Sequence, residues 1–274
     1  MNMEKDKLEE LKLLSAKIRK DVLEMLEKRG YGHMGGSLSI VELMSVLYGK
    51  QLRYDAKNPD WEERDMVVLS KGHSGPAWYS VLAEKGFFDR EWLFTLNDGG
   101  TKLPSHPDRL KTPGVDMTTG SLGQGLSAAN GMAIAGKMDK KNYRVYCILG
   151  DGEIEEGQIW EAAMSSNKYK LDNLCVIVDN NNLQIDGSIE EVMSLTNIDE
   201  KFKSFGFQII KIDGHDIDEI LKAFEVAKNI KGKPTCIIAK TIKGKGISYM
   251  ENQVGWHGKA PNKEEYEEGL RDVL

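Results

Sequence analysis

Val145-Tyr146-Cys147-Ile148-Leu149-Gly150-Asp151-Gly152 is an unbroken apolar run that stops on a carboxylate set between two glycines. Continuous rather than alternating apolarity marks a strand buried on both faces, the habit of parallel sheets. Working outward, Met66-Val67-Val68-Leu69 and residues 174–178, 207–212 and 235–239 have the same character. Between these runs lie helical patterns over 77–85, 124–138, 155–169 and 217–230. Strands alternating with helices predict an α/β fold, a doubly wound parallel sheet with helices on both faces. Ahead of the first strand, residues 4–28 carry apolar positions at helical spacing (Leu8, Leu11, Ile18, Val22, Met25), and Gly30 supplies a stop. Residues 39–48 predict a second helix, with Ser39 as its N-cap and Glu42 completing a capping box. No repeat or linker-like shift in composition divides the chain, so residues 1–274 are expected to form one domain.

Composition narrows the function. A formal net charge of −6 and the lack of a basic stripe argue against nucleic acid and anionic membranes as partners. No apolar run approaches the roughly 20 residues of a membrane span. The start, Met1-Asn2-Met3-Glu4-Lys5-Asp6, is too polar for a signal peptide. Cys147, Cys175 and Cys236 are far apart and embedded in apolar runs, which is not metal-ligand spacing. Embedded, odd-numbered thiols suggest a reducing compartment, and the expected location is cytoplasmic.

In open parallel sheets ligands bind beyond the carboxyl ends of the strands, where this chain is polar. The loops read Ser70-Lys71-Gly72-His73, Gly150-Asp151-Gly152, Asp179-Asn180-Asn181-Asn182 and Lys240-Thr241-Ile242-Lys243-Gly244. Read alone, Gly-Asp-Gly is most simply a strand-to-helix turn capped by Asp151. It also suits a phosphate, because glycines permit close backbone approach and a helix N-terminus offers free N–H groups. The Asp would repel phosphate unless a cation intervened. A carboxylate, an amide oxygen, a backbone carbonyl and phosphate oxygens make a hard oxygen shell suited to Mg²⁺.

Asp151 and Asn181 stand thirty positions apart, and that pairing resembles the thiamine diphosphate fingerprint, Gly-Asp-Gly followed by Asn. The resemblance implies thiamine diphosphate and Mg²⁺ as cofactors, with Asp151 and Asn181 as side-chain metal ligands, Leu183 as a carbonyl ligand and Gly152 touching the diphosphate. The remaining loops are similar to those of transketolases over about residues 11–261. They are Gly32-His33-Met34-Gly35-Gly36-Ser37, Leu69-Ser70-Lys71-Gly72-His73, Ser105-His106-Pro107, Thr118-Thr119-Gly120-Ser121-Leu122-Gly123-Gln124-Gly125, Lys240-Thr241-Ile242-Lys243-Gly244-Lys245-Gly246 and Gly255-Trp256-His257-Gly258. Six such loops in order are specific where one would be weak.

That resemblance implies roles. His33 and His257 would hold the hydroxyls of a ketose donor, His73 would sit near the reacting carbon and His106 would meet substrate, although Ser105 departs from the family's usual Gly. Gly36, Gly120, Ser121, Leu122 and Lys243 would line the cofactor. Glu156 resembles a carboxylate that couples sites across chains, and it reads equally as a helix-dipole charge. His215 also falls in the family pattern but precedes a helix, and it reads as a turn or cap residue. Seventeen residues follow His257, too few for the pyrimidine-binding and C-terminal domains that such enzymes need. The expectation is therefore an N-terminal subunit of a split transketolase, completed by a C-terminal subunit in a two-plus-two heterotetramer. It would transfer a two-carbon ketol unit between sugar phosphates, with branched or sulfonated donors also in range. The alternatives are the α subunit of a 2-oxo acid dehydrogenase, a deoxyxylulose-phosphate synthase, or an assembly module without turnover.

Overall fold

The computed structural model describes residues 2–273. The long helix α1 (Asn2–Arg29) precedes two short ones, α2 (Gly35–Leu38) and α3 (Val41–Val46). The sheet strands are β1 (Met66–Leu69), β2 (Val145–Gly150), β3 (Leu174–Asn180), β4 (Gln208–Asp213) and β5 (Thr235–Lys240). They pair in parallel throughout, in the order β1-β2-β3-β5-β4. Between and after them come α4 (Gly75–Glu84), α5 (Gln124–Met138), α6 (Gly157–Lys168), α7 (Ile189–Met193), α8 (Ile198–Ser204), α9 (Ile217–Asn229) and α10 (Lys263–Val273).

The period of two along each strand divides the core. Val67, Leu69, Tyr146, Ile148, Cys175, Ile177 and Ile237 pack on one face with residues of α1, α3, α4 and α9. Val68, Val145, Cys147, Leu149, Val176, Val178, Cys236 and Ile238 pack on the other with α5, α6 and Phe202 of α8. Both faces of β1, β2, β3 and β5 are covered, so these strands carry no polar alternation, whereas the edge strand β4 exposes Lys211 and Asp213. Steps that advance from β1 to β4 enter the next strand from α5, α6 and α8 on one face, although α4, also between β1 and β2, packs on the other. The step back from β4 to β5 uses α9 on the opposite face, as crossovers of fixed hand require. The doubly wound α/β expectation holds. No helix among the described residues is long and apolar enough to cross a membrane, and all three cysteines are free and buried.

Two local expectations fail. The helix expected over 39–48 starts only at Val41, as α3, and runs into a π turn at Leu47–Gln51. Ser39 does not cap it. Its hydroxyl donates to Asp179 Oδ2 at 2.7 Å, while Glu42 pairs with Arg19 and His215. Buried tertiary partners outbid the local cap. The helix expected from residue 155 starts at Gly157, because Glu153–Glu155 first forms a 3₁₀ turn under the Gly-Asp-Gly loop.

Candidate active site

The loops at the carboxyl ends of β1, β2, β3 and β5 meet in a cavity of about 250 Å³. It is lined by His33, Gly36, His73, His106, Gly120, Leu122, Asp151, Gly152, Asn181, Leu183, Lys243 and His257. Larger grooves run along α1 and beside β4, and neither contains a histidine. Ser121 and Glu156 are not brought into this cavity. Both are exposed, and Glu156 makes no side-chain cap bond at the start of α6. His215 also lies outside. It is not the cap of α9, for Asp216 accepts from the Asp218 and Glu219 N–H groups at 2.9 and 3.1 Å.

The floor is a set of oxygens. Asp151 is 2% exposed and forms no ion pair among the described residues; its carboxylate accepts from Gly152 N at 2.9 Å and from Asn182 N. Burial, reinforced by the nearby Asp179 charge, pushes it up to about 7. Asn181 gives its amide N–H to Asp179 Oδ2 at 3.1 Å, which turns its Oδ1 the other way, towards Leu183 N at 3.1 Å. Asp179 itself is fully buried. Burial would raise it, but the Lys71 ammonium and the Thr241 and Ser39 hydroxyls hold it below the usual carboxylate range. Lys71 also donates to Gly36 O at 2.8 Å, so one buried pair ties the first histidine loop to the oxygen set.

Three groups at the cavity escaped the sequence reading. Lys71 stood in a polar loop without a role, and Asp179 ended an apolar run as a charge that such a strand cannot leave unpaired. The third, Glu153, is 3% exposed and accepts from Gly150 N at 3.0 Å, Gly123 N at 2.9 Å and the Ser70 hydroxyl. It ties together the turn after β2, the start of α5 and the loop after β1. Lys71 and Glu153 border the cavity, whereas Asp179 acts from beneath it.

Above the oxygens sit the histidines, with ring centroids at 5.3 Å for His33–His73, 5.5 Å for His33–His257, 5.2 Å for His73–His257 and 6.1 Å for His33–His106. Burial lowers all four. His257 is driven to about 3 by burial and by the Lys243 ammonium, and His73 well below its ordinary value by burial and Lys71. Each ring is therefore neutral at pH 7 and can offer one donor and one acceptor. Lys243 donates to His257 Nδ1 at 2.7 Å, which leaves the His257 ring proton on Nε2, and to Leu183 O at 3.2 Å. Burial, then Lys71, lowers Lys243 to about 8.

These shifts give a signed pH dependence. Between about 3 and 6.5 the unfolded chain protonates His257 while the folded chain does not, so acid favours unfolding over that window. Melting curves should show His257→Gln losing less stability than the wild type between pH 7 and pH 5. Equal losses would mean that His257 is protonated in place.

The cavity fits a phosphorylated cofactor. Gly120 holds φ +147°, and a Cβ there would stand 3.3 Å from the His106 ring. A Cβ on Gly36 would stand 3.3 Å from His73 Nε2. The glycines thus leave room that side chains would fill, and Lys71 and Lys243 supply positive charge. Fold and cavity together define a cofactor-diphosphate-binding domain. Residues 11–272 match the family described as "Transketolase, thiamine diphosphate binding domain", and the chain belongs to the transketolase family. It is 50% identical over 256 residues to a 6-deoxy-6-sulfo-D-fructose transketolase subunit of Clostridium sp. (strain MSTE9), covering 93% of each chain. It is 44% identical to an apulose-4-phosphate transketolase subunit of Phocaeicola vulgatus, covering 97% of this chain and 94% of that one. The crystal structure of transketolase from Campylobacter jejuni superposes with a TM-score of 0.90 at 34% identity, over 98% of this chain and 43% of that chain.

Proposed function

We propose that residues 1–274 form one thiamine diphosphate-binding unit, the N-terminal subunit of a two-chain transketolase. It would move a two-carbon ketol unit from a ketose phosphate, or a ketose with another anionic end group, to an aldose acceptor. The observation that carries this reading is four histidines converging on one cavity with Asp151, Asn181 and Leu183. A hydroxyl-rich substrate suits neutral imidazoles, which accept and donate at once.

Mg²⁺ fits the floor: Asp151 is a buried carboxylate with no ion pair among the described residues, and Asn181 and Leu183, which line the same cavity, would add an amide and a carbonyl oxygen. No group of three or more His, Cys, Asp and Glu among the described residues could hold a metal. The remaining ligands must come from diphosphate oxygens and water. Bound thiamine diphosphate supplies carbanion stabilisation. This chain then does the rest. Gly152 and Lys243 hold the diphosphate, while Gly36, Gly120 and Leu122 shape the cofactor wall. The exposed Leu122 and Ile185 shed water once covered. His33 and His257 hold donor hydroxyls, with the Nε2–H of His257 as a donor. His73 stands nearest the reacting end and His106 contacts substrate. Ser121 and Glu156, outside the cavity, are assigned to the face that a partner covers.

A separate C-terminal subunit would contribute the pyrimidine pocket, the activating glutamate and the groups that bind the sugar's anionic end. Two copies of each chain would form the cytoplasmic enzyme. Donor scope tests the assignment: with its partner, the chain should transfer two carbons from xylulose 5-phosphate or a related ketose and be inert with pyruvate. Turnover of pyruvate instead would favour an oxo-acid enzyme.

A further inference from the structure

His215 lies behind the cavity, in the turn between β4 and α9, yet it holds the loop that carries Lys243. Its Nε2 accepts the Ile242 N–H at 2.8 Å, so that nitrogen is unprotonated and the ring proton lies on Nδ1. Nδ1 stands 2.9 Å from Glu42 Oε2 and donates to it. Glu42, on α3, is also bound by the Arg19 guanidinium of α1, and Arg19 Nε donates to Lys245 O at 2.9 Å. The Arg19–Glu42–His215 chain therefore grips the backbone at Ile242 and Lys245, on either side of Lys243 and Gly244. Between those grips the loop has little slack. Gly244 N donates to Gly35 O at 3.0 Å, and a Cβ on Gly244 would stand 2.5 Å from Met250 O.

We infer that His215 is a positioning residue: by fixing the Ile242 peptide it aims the Lys243 ammonium into the cavity, beside Leu183 O and His257, from where it would hold the cofactor's diphosphate. The inference rests on the cofactor role proposed for Lys243. Gln can replace the ring, because its amide oxygen and nitrogen have nearly the spacing of the two imidazole nitrogens. The oxygen would accept from Ile242 and the NH₂ would donate to Glu42.

Thiamine diphosphate affinity of the full chain, with its partner and saturating Mg²⁺, tests this by calorimetry and by the KM-against-kcat split. His215→Ala should weaken binding roughly tenfold, the scale of one buried hydrogen bond lost, and raise the cofactor KM with kcat nearly unchanged. His215→Gln should recover most of that loss. In a Lys243→Met background, His215→Ala should cost less than about twofold, since residues acting through one another are not additive. Hydrogen exchange at the Ile242 amide should quicken in His215→Ala and return towards wild type in His215→Gln. If the alanine variant does not fold, His215→Asn, too short to reach Ile242, takes its place. Wild-type affinity in His215→Ala, a full-sized effect in the Lys243→Met background, or no recovery with Gln would each overturn the inference alone. A wild-type complex that bound no thiamine diphosphate would overturn the proposed function, and this inference with it.

Discussion

Asp151→Ala should lower the Mg²⁺-dependent affinity for thiamine diphosphate by more than the 10–100-fold that loss of a mere ligand-orienting group costs. Asp151 is nearly fully buried, accepts two backbone N–H groups and forms no ion pair among the described residues. An anion kept out of water on those terms is costly, which is why burial pushes it up to about 7. A divalent ion repays that cost, and the proposed shell has no second carboxylate to replace it. Without ligand, the alanine variant should be at least as stable as wild type, because the penalty leaves with the side chain. Calorimetric titration with and without a chelator reads both halves of the argument. Affinity unchanged by both the substitution and the chelator would remove the metal assignment.

The second large effect belongs to His257. Its replacement by Ala should slow ketol transfer by about 10²-fold or more, the scale of a positioned acid–base group, at saturating cofactor. Lys243 occupies Nδ1, so the ring presents an Nε2–H donor to the cavity, and no neighbour among His33, His73 and Lys243 can reproduce it without moving. Releasing Lys243 from the ring should alter cofactor affinity only modestly, because Lys243 would keep the diphosphate as its partner. Single-turnover rates separate the two outcomes. Undiminished transfer would make His257 a structural loop residue.

The strands were legible because burial on both faces writes itself as unbroken apolar runs; β1 matches its expected limits, and β2 extends only to Gly150. Asp151, Asn181 and the four histidines were legible as motif residues, and the sheet brings all of them to one end. What escaped was pairing across loops. Ser39 carried a local capping signal, but its hydroxyl binds an aspartate 140 positions away. Glu153 looked like one of three glutamates opening a helix, yet it joins three loops that no spacing rule connects. His215 was read as a turn or cap residue and lies in the turn before α9, while its partners, Glu42 and Ile242, lie on α3 and beyond β5. Ser121 and Glu156 were named from the family resemblance; both are exposed outside the cavity, Ser121 in the turn before α5 and Glu156 just ahead of α6.

The central claim is that this chain holds half of a shared active site. It is tested most directly by measuring ketol transfer from a ketose phosphate before and after the partner chain is added, with thiamine diphosphate and Mg²⁺ present throughout. The chain alone, free of partner by mass spectrometry, should show no measurable transfer, and activity should rise to a plateau at one partner per chain. Turnover at an ordinary enzymatic rate by the chain alone would contradict the account.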